Sequence, residues 1–265
     1  MNAEIHVIDA FTHKAFRGNP AAVCIPEGEP DAAWMQQVAS EMRHSETAFL
    51  KKEPDGWSLR WFTPESEVDL CGHATLAAAF VLWNTGREGA GTTIRFKTRS
   101  GILTARNEGS SGIALDFPGV TVSACDPPEG ISAALGGAPV VFSGRTKFDL
   151  FIELPTASDV CDMDPDLSLL ASIPCRGIIV TAGADMPEYD FVSRFFAPSV
   201  GVAEDPVTGS AHCSLGPFWG ERLKKSSLAG FQCSPRGGSV RVILENDRVV
   251  LVGNATPILS GRLLA

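Results

Sequence analysis

The sequence predicts a mixed α/β protein built from two similar domains, and three observations carry this. The chain has 265 residues, enough for one large domain or two of about 130. Its 26 glycines and 18 prolines exceed the ordinary share and signal many turns, hence many short strands. Landmarks also recur in the same order. Phe62-Thr63-Pro64 has a counterpart in Phe196-Ala197-Pro198, Asp69-Leu70-Cys71-Gly72-His73-Ala74 in Pro206-Val207-Thr208-Gly209-Ser210-Ala211, and the turn at Asn107 in the turn at Asn246. The offsets are 134 for Pro64 to Pro198, 137 for Gly72 to Gly209 and 139 for Asn107 to Asn246. A period this long means duplicated domains, not a solenoid. The boundary is expected near Pro118–Val122, giving domains 1–118 and 119–265.

The elements follow in order. Glu4–Ala10 and Ala21–Ile25 read as strands around a Gly18-Asn19-Pro20 turn. Asp31–Met42 reads as an amphipathic helix, with Trp34, Val38 and Met42 on one stripe. Glu46–Lys51 and Trp57–Phe62 form a hairpin turning at Glu53-Pro54-Asp55-Gly56. His73–Trp83 is apolar on nearly every face, the pattern of a helix buried all round. Thr93–Thr98 alternates apolar and basic residues, and a hairpin runs from Ile102 to Phe117 with its turn at Asn107–Gly112. In the second half a helix opens at Gly209, and Gly216-Pro217 is expected to bend or end it.

Composition excludes several classes. Hydrophobic residues make up 44% and charged residues 20%, a globular balance. The net charge is −9 and no run of Lys or Arg exceeds two, so nucleic acid and anionic membrane are not expected partners. No apolar stretch reaches the roughly 18 residues of a membrane span, and the first residues lack the pattern of a secretion signal. The seven cysteines are irregularly spaced without C-x-x-C, which suggests reduced thiols and a cytoplasmic setting.

Chemistry concentrates near the two Gly-led helices. Free N–H groups at a helix N-terminus bind anions, and Gly lets a ligand approach the backbone. Glu46 opens an apolar strand. It is either a solvated edge residue or a carboxylate in a cleft, where desolvation favours a general acid/base. His73 sits in the first turn of the buried helix, where neutral imidazole is favoured; it is either a donor to a ligand or a satisfied core histidine. Asp205 and Ser210 flank Gly209 and serve either a substrate or a turn and a helix start. Thr75 and Thr208 read only as small polar residues near helix starts. Cys71 at a helix N-terminus has the setting of an activated thiolate, but the equivalent position is Thr208, so a second thiol is missing. Cys71, His73, His212 and Cys213 are metal-ligand types without a standard spacing, so no metal is expected. No Walker loop and no G-x-G-x-x-G occurs. Arg236-Gly237-Gly238 either contacts a carboxylate or makes a turn.

Asp9-Ala10-Phe11-Thr12, Gly18-Asn19-Pro20-Ala21-Ala22-Val23, Ser45-Glu46-Thr47-Ala48-Phe49, Arg60-Trp61-Phe62-Thr63-Pro64, Glu67-Val68-Asp69-Leu70-Cys71-Gly72-His73-Ala74-Thr75, Arg194-Phe195-Phe196-Ala197-Pro198, Glu204-Asp205-Pro206-Val207-Thr208-Gly209-Ser210-Ala211-His212 and Arg236-Gly237-Gly238 together resemble the PhzF-like family, named for phenazine biosynthesis, along the whole chain. The resemblance implies the diaminopimelate epimerase-like fold: two α/β (α+β) domains, each a curved, mostly antiparallel sheet around a central helix, with the active site in the cleft between them. It implies no metal, no organic cofactor and usually a homodimer. Glu46 would move the proton, and His73 and Asp205 would bind and polarise the substrate. Asn19, Gly72, Gly209, Ser210 and Arg236 would bind it. The implied activity is a proton-shifting isomerase acting on a small carboxylate such as 2,3-dihydro-3-hydroxyanthranilate. A carboxylate-binding protein without turnover, and a racemase or epimerase using Cys71, are the alternatives.

Overall fold

The computed structural model describes residues 1–264. It divides into two compact units: Met1–Phe117 with the C-terminal segment from Val252 on, and Pro118–Leu251. In the first unit Ala255–Leu264 pairs antiparallel with Asn2–Ala10, which pairs antiparallel with Asn19–Pro26. Asn19–Pro26 runs parallel to Glu46–Glu53, which forms the expected hairpin with Gly56–Phe62. Gly56–Phe62 runs parallel to Ile94–Thr98, and Gly101–Asn107 and Ile113–Pro118 continue antiparallel. The second unit repeats the series. Ser123–Ala124, Phe142–Arg145 and Asp149–Glu153 pair antiparallel in turn, Asp149–Glu153 runs parallel to Gly177–Gly183, and that strand pairs antiparallel with Phe191–Phe196. Phe191–Phe196 is parallel to Ser227–Gln232, which is antiparallel to Gly238–Glu245. Antiparallel, antiparallel, parallel, antiparallel, parallel, antiparallel: the same order of pairings in both units expresses the repeat seen in the sequence.

The repeat extends to partly buried ion pairs. Arg60 holds Glu67 through two bonds of 2.7 and 2.8 Å, and Arg194 holds Glu204 through two of the same lengths. Each guanidinium also lies over a ring two residues on, Phe62 at 5.2 Å and Phe196 at 4.9 Å. Hydrogen bonding to Arg60 keeps the Glu67 carboxyl below its ordinary value. In each unit this fork–fork pair braces the loop that leads into the central helix.

The first central helix, Gly72–Asn84, has nine of its thirteen residues buried, which explains its lack of a polar face. It packs on the strands Asn2–Ala10, Asn19–Pro26 and Glu46–Glu53. The helix Ala32–Met42 starts at Asp31, whose carboxylate accepts from the Trp34 N–H, and ends at Arg43 in the left-handed region. Its buried residues are Met35, Val38 and Ala39, so the stripe is turned one position from the expected one. Trp34 and Met42 pack at its margin.

Three expectations need correction. The last strand belongs to the first unit, not to 119–265, because Ala255–Leu264 pairs along the whole of Asn2–Ala10. The second central helix runs unbroken from Gly209 to Leu223 with Pro217 inside it. Pro217 has no N–H to give the Cys213 carbonyl, but the Val120 N–H takes that carbonyl at 2.9 Å, so the orphan that should break the helix is satisfied. Finally, the thiols are not all reduced. Cys161 and Cys233, 72 residues apart, form a disulfide in the second unit, and Cys24, Cys71, Cys125, Cys175 and Cys213 take no part in a disulfide. Thiol titration of the denatured, unreduced chain is expected to find five groups and to find seven after reduction. Opening a loop of this length is expected to cost about 2–4 kcal/mol in a denaturant titration. Seven thiols before reduction would refute the pairing. No helix among the described residues is long and apolar enough to cross a membrane.

Candidate active site

In the first unit two sequence-distant segments meet at His73. Glu46 begins its strand directly after the Arg43–Ser45 turn and stays partly exposed, its side chain at 19%. His73 is the second residue of the central helix and is buried. Its Nε2 lies 3.2 Å from Glu46 Oε2, and Nε2 is itself buried and makes no hydrogen bond. On the other side of the ring Asn19 Nδ2 lies 3.2 Å from Nδ1. With the Asn19 amide donating to Nδ1, the proton of the neutral imidazole sits on Nε2, facing Glu46. Burial, helped by the nearby His44, pushes the His73 pKa down to about 3, so the ring is neutral across the working range. Asn19, expected to touch substrate, is fully buried and touches His73.

Cys71 Sγ approaches His73 Nδ1 at 3.6 Å. Glu46, Cys71 and His73 thus bring three metal-ligand types within 4.8 Å of one another. An imidazole ligates through one nitrogen, and here the thiol lies at Nδ1 and the carboxylate at Nε2.

The second unit holds the other predicted residues. The Asp205 N–H donates to the Phe195 carbonyl at 3.0 Å, and its carboxylate accepts from Thr208 Oγ1 at 2.6 Å. Ser210 is exposed and accepts from Arg176 Nη2 at 3.4 Å; Arg176 is itself clamped by the buried Asp149. Arg236 is half-buried in the loop after Ser227–Gln232, where Gly237 takes a φ of +64° and its N–H donates to Ser234 Oγ. His212 and Cys213 turn to their own helix, Nδ1 to the Thr208 carbonyl and Sγ to the Gly209 carbonyl. Neither Cys71 nor Thr208 caps its helix with a side-chain hydrogen bond. Sequence reasoning missed Gln232, Arg176 and His44. Their partners lie far along the chain or in an unremarkable loop, and no motif marks them.

Residues 8–261 match the sequence model of the family described as phenazine biosynthesis-like protein. The chain belongs to this family. An uncharacterised isomerase of Halalkalibacterium halodurans is 51% identical over 265 residues, covering all of this chain and 99% of the relative. Another uncharacterised isomerase, from Pseudomonas aeruginosa, is 46% identical and covers 99% of each chain. The crystal structure of a PhzF-family phenazine biosynthesis protein from Enterococcus faecalis is 41% identical, covers both chains fully and superposes with a TM-score of 0.94. The fold is thus the α+β phenazine biosynthesis-like architecture expected from the sequence.

His73 and His212 also set an acid limit on this family member. Burial lowers the first to about 3 and the second to about 4, both below the ordinary 6.5. Between those values and 6.5 the unfolded chain binds protons that the folded chain refuses, so stability falls as pH drops through this window. The thermal midpoint is expected to decrease from pH 6.5 to pH 4, with a shallower decrease in His212→Gln. A midpoint independent of pH there would contradict buried neutral rings.

Proposed function

We propose that the protein is an isomerase that shifts a proton on a small carboxylate-bearing substrate, with Glu46 as the single acid/base. The observation that carries this is the buried His73 Nε2, without a hydrogen bond, 3.2 Å from Glu46 Oε2. A carboxylate beside a fixed neutral donor is suited to take a proton from an acidic C–H while the donor stabilises the charge that develops. Glu46 removes the proton, the electron pair spreads along the conjugated system, and Glu46 returns the proton at another carbon. Atoms and electrons balance without a redox partner. In this proposal the Gly72 N–H binds the substrate carboxylate, Asp205 polarises the substrate, and Gly209, Ser210 and Arg236 add contacts. Asn19 acts through His73 by holding its tautomer.

The test is proton exchange in deuterated water, with 2,3-dihydro-3-hydroxyanthranilate and a panel of cyclic amino and hydroxy acids, read by mass spectrometry. Deuterium in a carbon position of one compound, absent with Glu46→Gln, is the expected result. Uptake undiminished in Glu46→Gln overturns the mechanism. Saturable binding of a carboxylate without uptake selects the binding-protein reading. A thiol-based epimerase is the second reading, because Cys71 Sγ lies 3.6 Å from His73 Nδ1. Cys71→Ala keeps uptake if Glu46 is the base and loses it if the thiol is.

A further inference from the structure

Thr208 occupies in the second unit the place that Cys71 holds in the first, and nothing in the proton-shift mechanism uses it. Its surroundings are unusually complete. Gln232, the last residue of the strand Ser227–Gln232, is fully buried 24 residues further along the chain. Its Oε1 accepts the Thr208 N–H at 2.9 Å. Its Nε2 donates to the Asp205 carbonyl at 2.7 Å and to Thr208 Oγ1 at 3.2 Å. Thr208 Oγ1 in turn lies 2.6 Å from Asp205 Oδ2.

Hydrogen-bond bookkeeping fixes the direction of this chain. A flipped Gln232 amide would set its oxygen against the Asp205 carbonyl and its NH2 against the Thr208 N–H, so only the stated orientation satisfies both ends. The amide has two protons and both are used. The Thr208 hydroxyl has one proton, and since its oxygen already receives a Gln232 N–H, that proton points to Asp205. Asp205 is bound on both sides of this chain, because its own N–H is fixed to the Phe195 carbonyl at 3.0 Å. The preceding Glu204 is clamped by Arg194.

We propose that Gln232 and Thr208 are positioning residues that orient the Asp205 carboxylate, Gln232 by committing the Thr208 proton and Thr208 by delivering it. This rests on the reading of Asp205 as a substrate-polarising group. It also gives the position equivalent to Cys71 a definite role, since the Thr208 hydroxyl is spent on Asp205 and is not a base for the substrate.

The test compares Thr208→Val, which keeps the shape and removes the hydroxyl, with Thr208→Ser, which keeps the hydroxyl. Crystal structures of both variants are expected to show the Asp205 carboxylate turned away from its wild-type position in Thr208→Val and restored in Thr208→Ser. On the compound that shows deuterium uptake, Thr208→Val is expected to lower kcat/KM about 10- to 100-fold, as small misplacements of a polarising group do. Thr208→Ser is expected to recover most of it with a thermal midpoint close to wild type, while Thr208→Val, which leaves a buried Gln232 N–H without its acceptor, is expected to melt lower. Gln232→Glu keeps an acceptor for the Thr208 N–H and, with burial favouring its protonated form, can donate at most one bond in place of two. It is expected to reproduce the turned carboxylate, and it replaces Thr208→Val if that variant does not fold. An Asp205 carboxylate in its wild-type position in Thr208→Val and Gln232→Glu overturns the proposal. If Asp205→Asn leaves uptake unchanged, it is the role of Asp205 in the reaction that fails, while the crystallographic comparison still decides whether these two residues aim it.

Discussion

Glu46→Gln is expected to lower proton exchange by roughly 10²- to 10⁴-fold while leaving the fold and ligand binding in place. Gln has the same shape and keeps a polar atom near His73 Nε2, so the neighbours need not move. It has no basic oxygen that can accept a proton from carbon, so the step itself is removed. The side chain is only partly buried, at 19% exposure, and the thermal midpoint should stay close to wild type. Glu46→Asp, with the carboxylate drawn back toward the strand, should fall between the two. A single-turnover measurement with the responsive compound separates the outcomes. Loss of kcat with unchanged ligand affinity supports the acid/base role, and loss of affinity alone would make Glu46 a binding residue.

Gly18→Ala is the second large effect, and it links stability to the site. Gly18 has φ +65°, where a Cβ is disfavoured, and an added Cβ would lie 2.1 Å from the Ala10 carbonyl oxygen and 2.8 Å from Thr12 Cγ2. The oxygen is backbone in the strand that pairs with Asn19, so it cannot swing aside without opening the Asn2–Ala10 and Asn19–Pro26 ladder. Left-handed strain of about 1 kcal/mol and overpacking of about 1–3 kcal/mol together predict a loss of roughly 2–4 kcal/mol. A calorimetric scan should show this as a clear drop in midpoint. Exchange activity measured well below that midpoint should also fall, because Asn19 is the next residue and its amide holds His73. A midpoint and activity both equal to wild type would show that the turn relaxes freely and that Asn19 does not depend on it.

Much of this organisation is readable from residue types and spacing. The repeat of Phe62-Thr63-Pro64 as Phe196-Ala197-Pro198, the Gly-led helices at Gly72 and Gly209, and the hairpin at Pro54-Asp55 all depend on local chemistry: permitted φ values, apolar period and turn residues. Glu46, His73 and Asp205 stand out by their places beside these elements. That Glu46 and His73 meet at 3.2 Å is a tertiary fact.

What the sequence by itself determined is therefore the duplicated α+β plan and the positions, beside the Gly-led helices, of the residues to which the acid/base role is proposed. The tertiary structure decided which distant groups complete them. Pro217 sits inside a continuous helix because Val120, 97 positions earlier, takes the released Cys213 carbonyl. Cys161 finds Cys233 across 72 residues, the last strand joins the first unit, and Asn19 reaches His73 Nδ1 at 3.2 Å. The physical reason is common to all four. A local pattern states what a backbone or side chain needs, but the donor, acceptor or sulfur that meets the need is supplied by a segment with no fixed sequence distance, and only the folded chain brings it near.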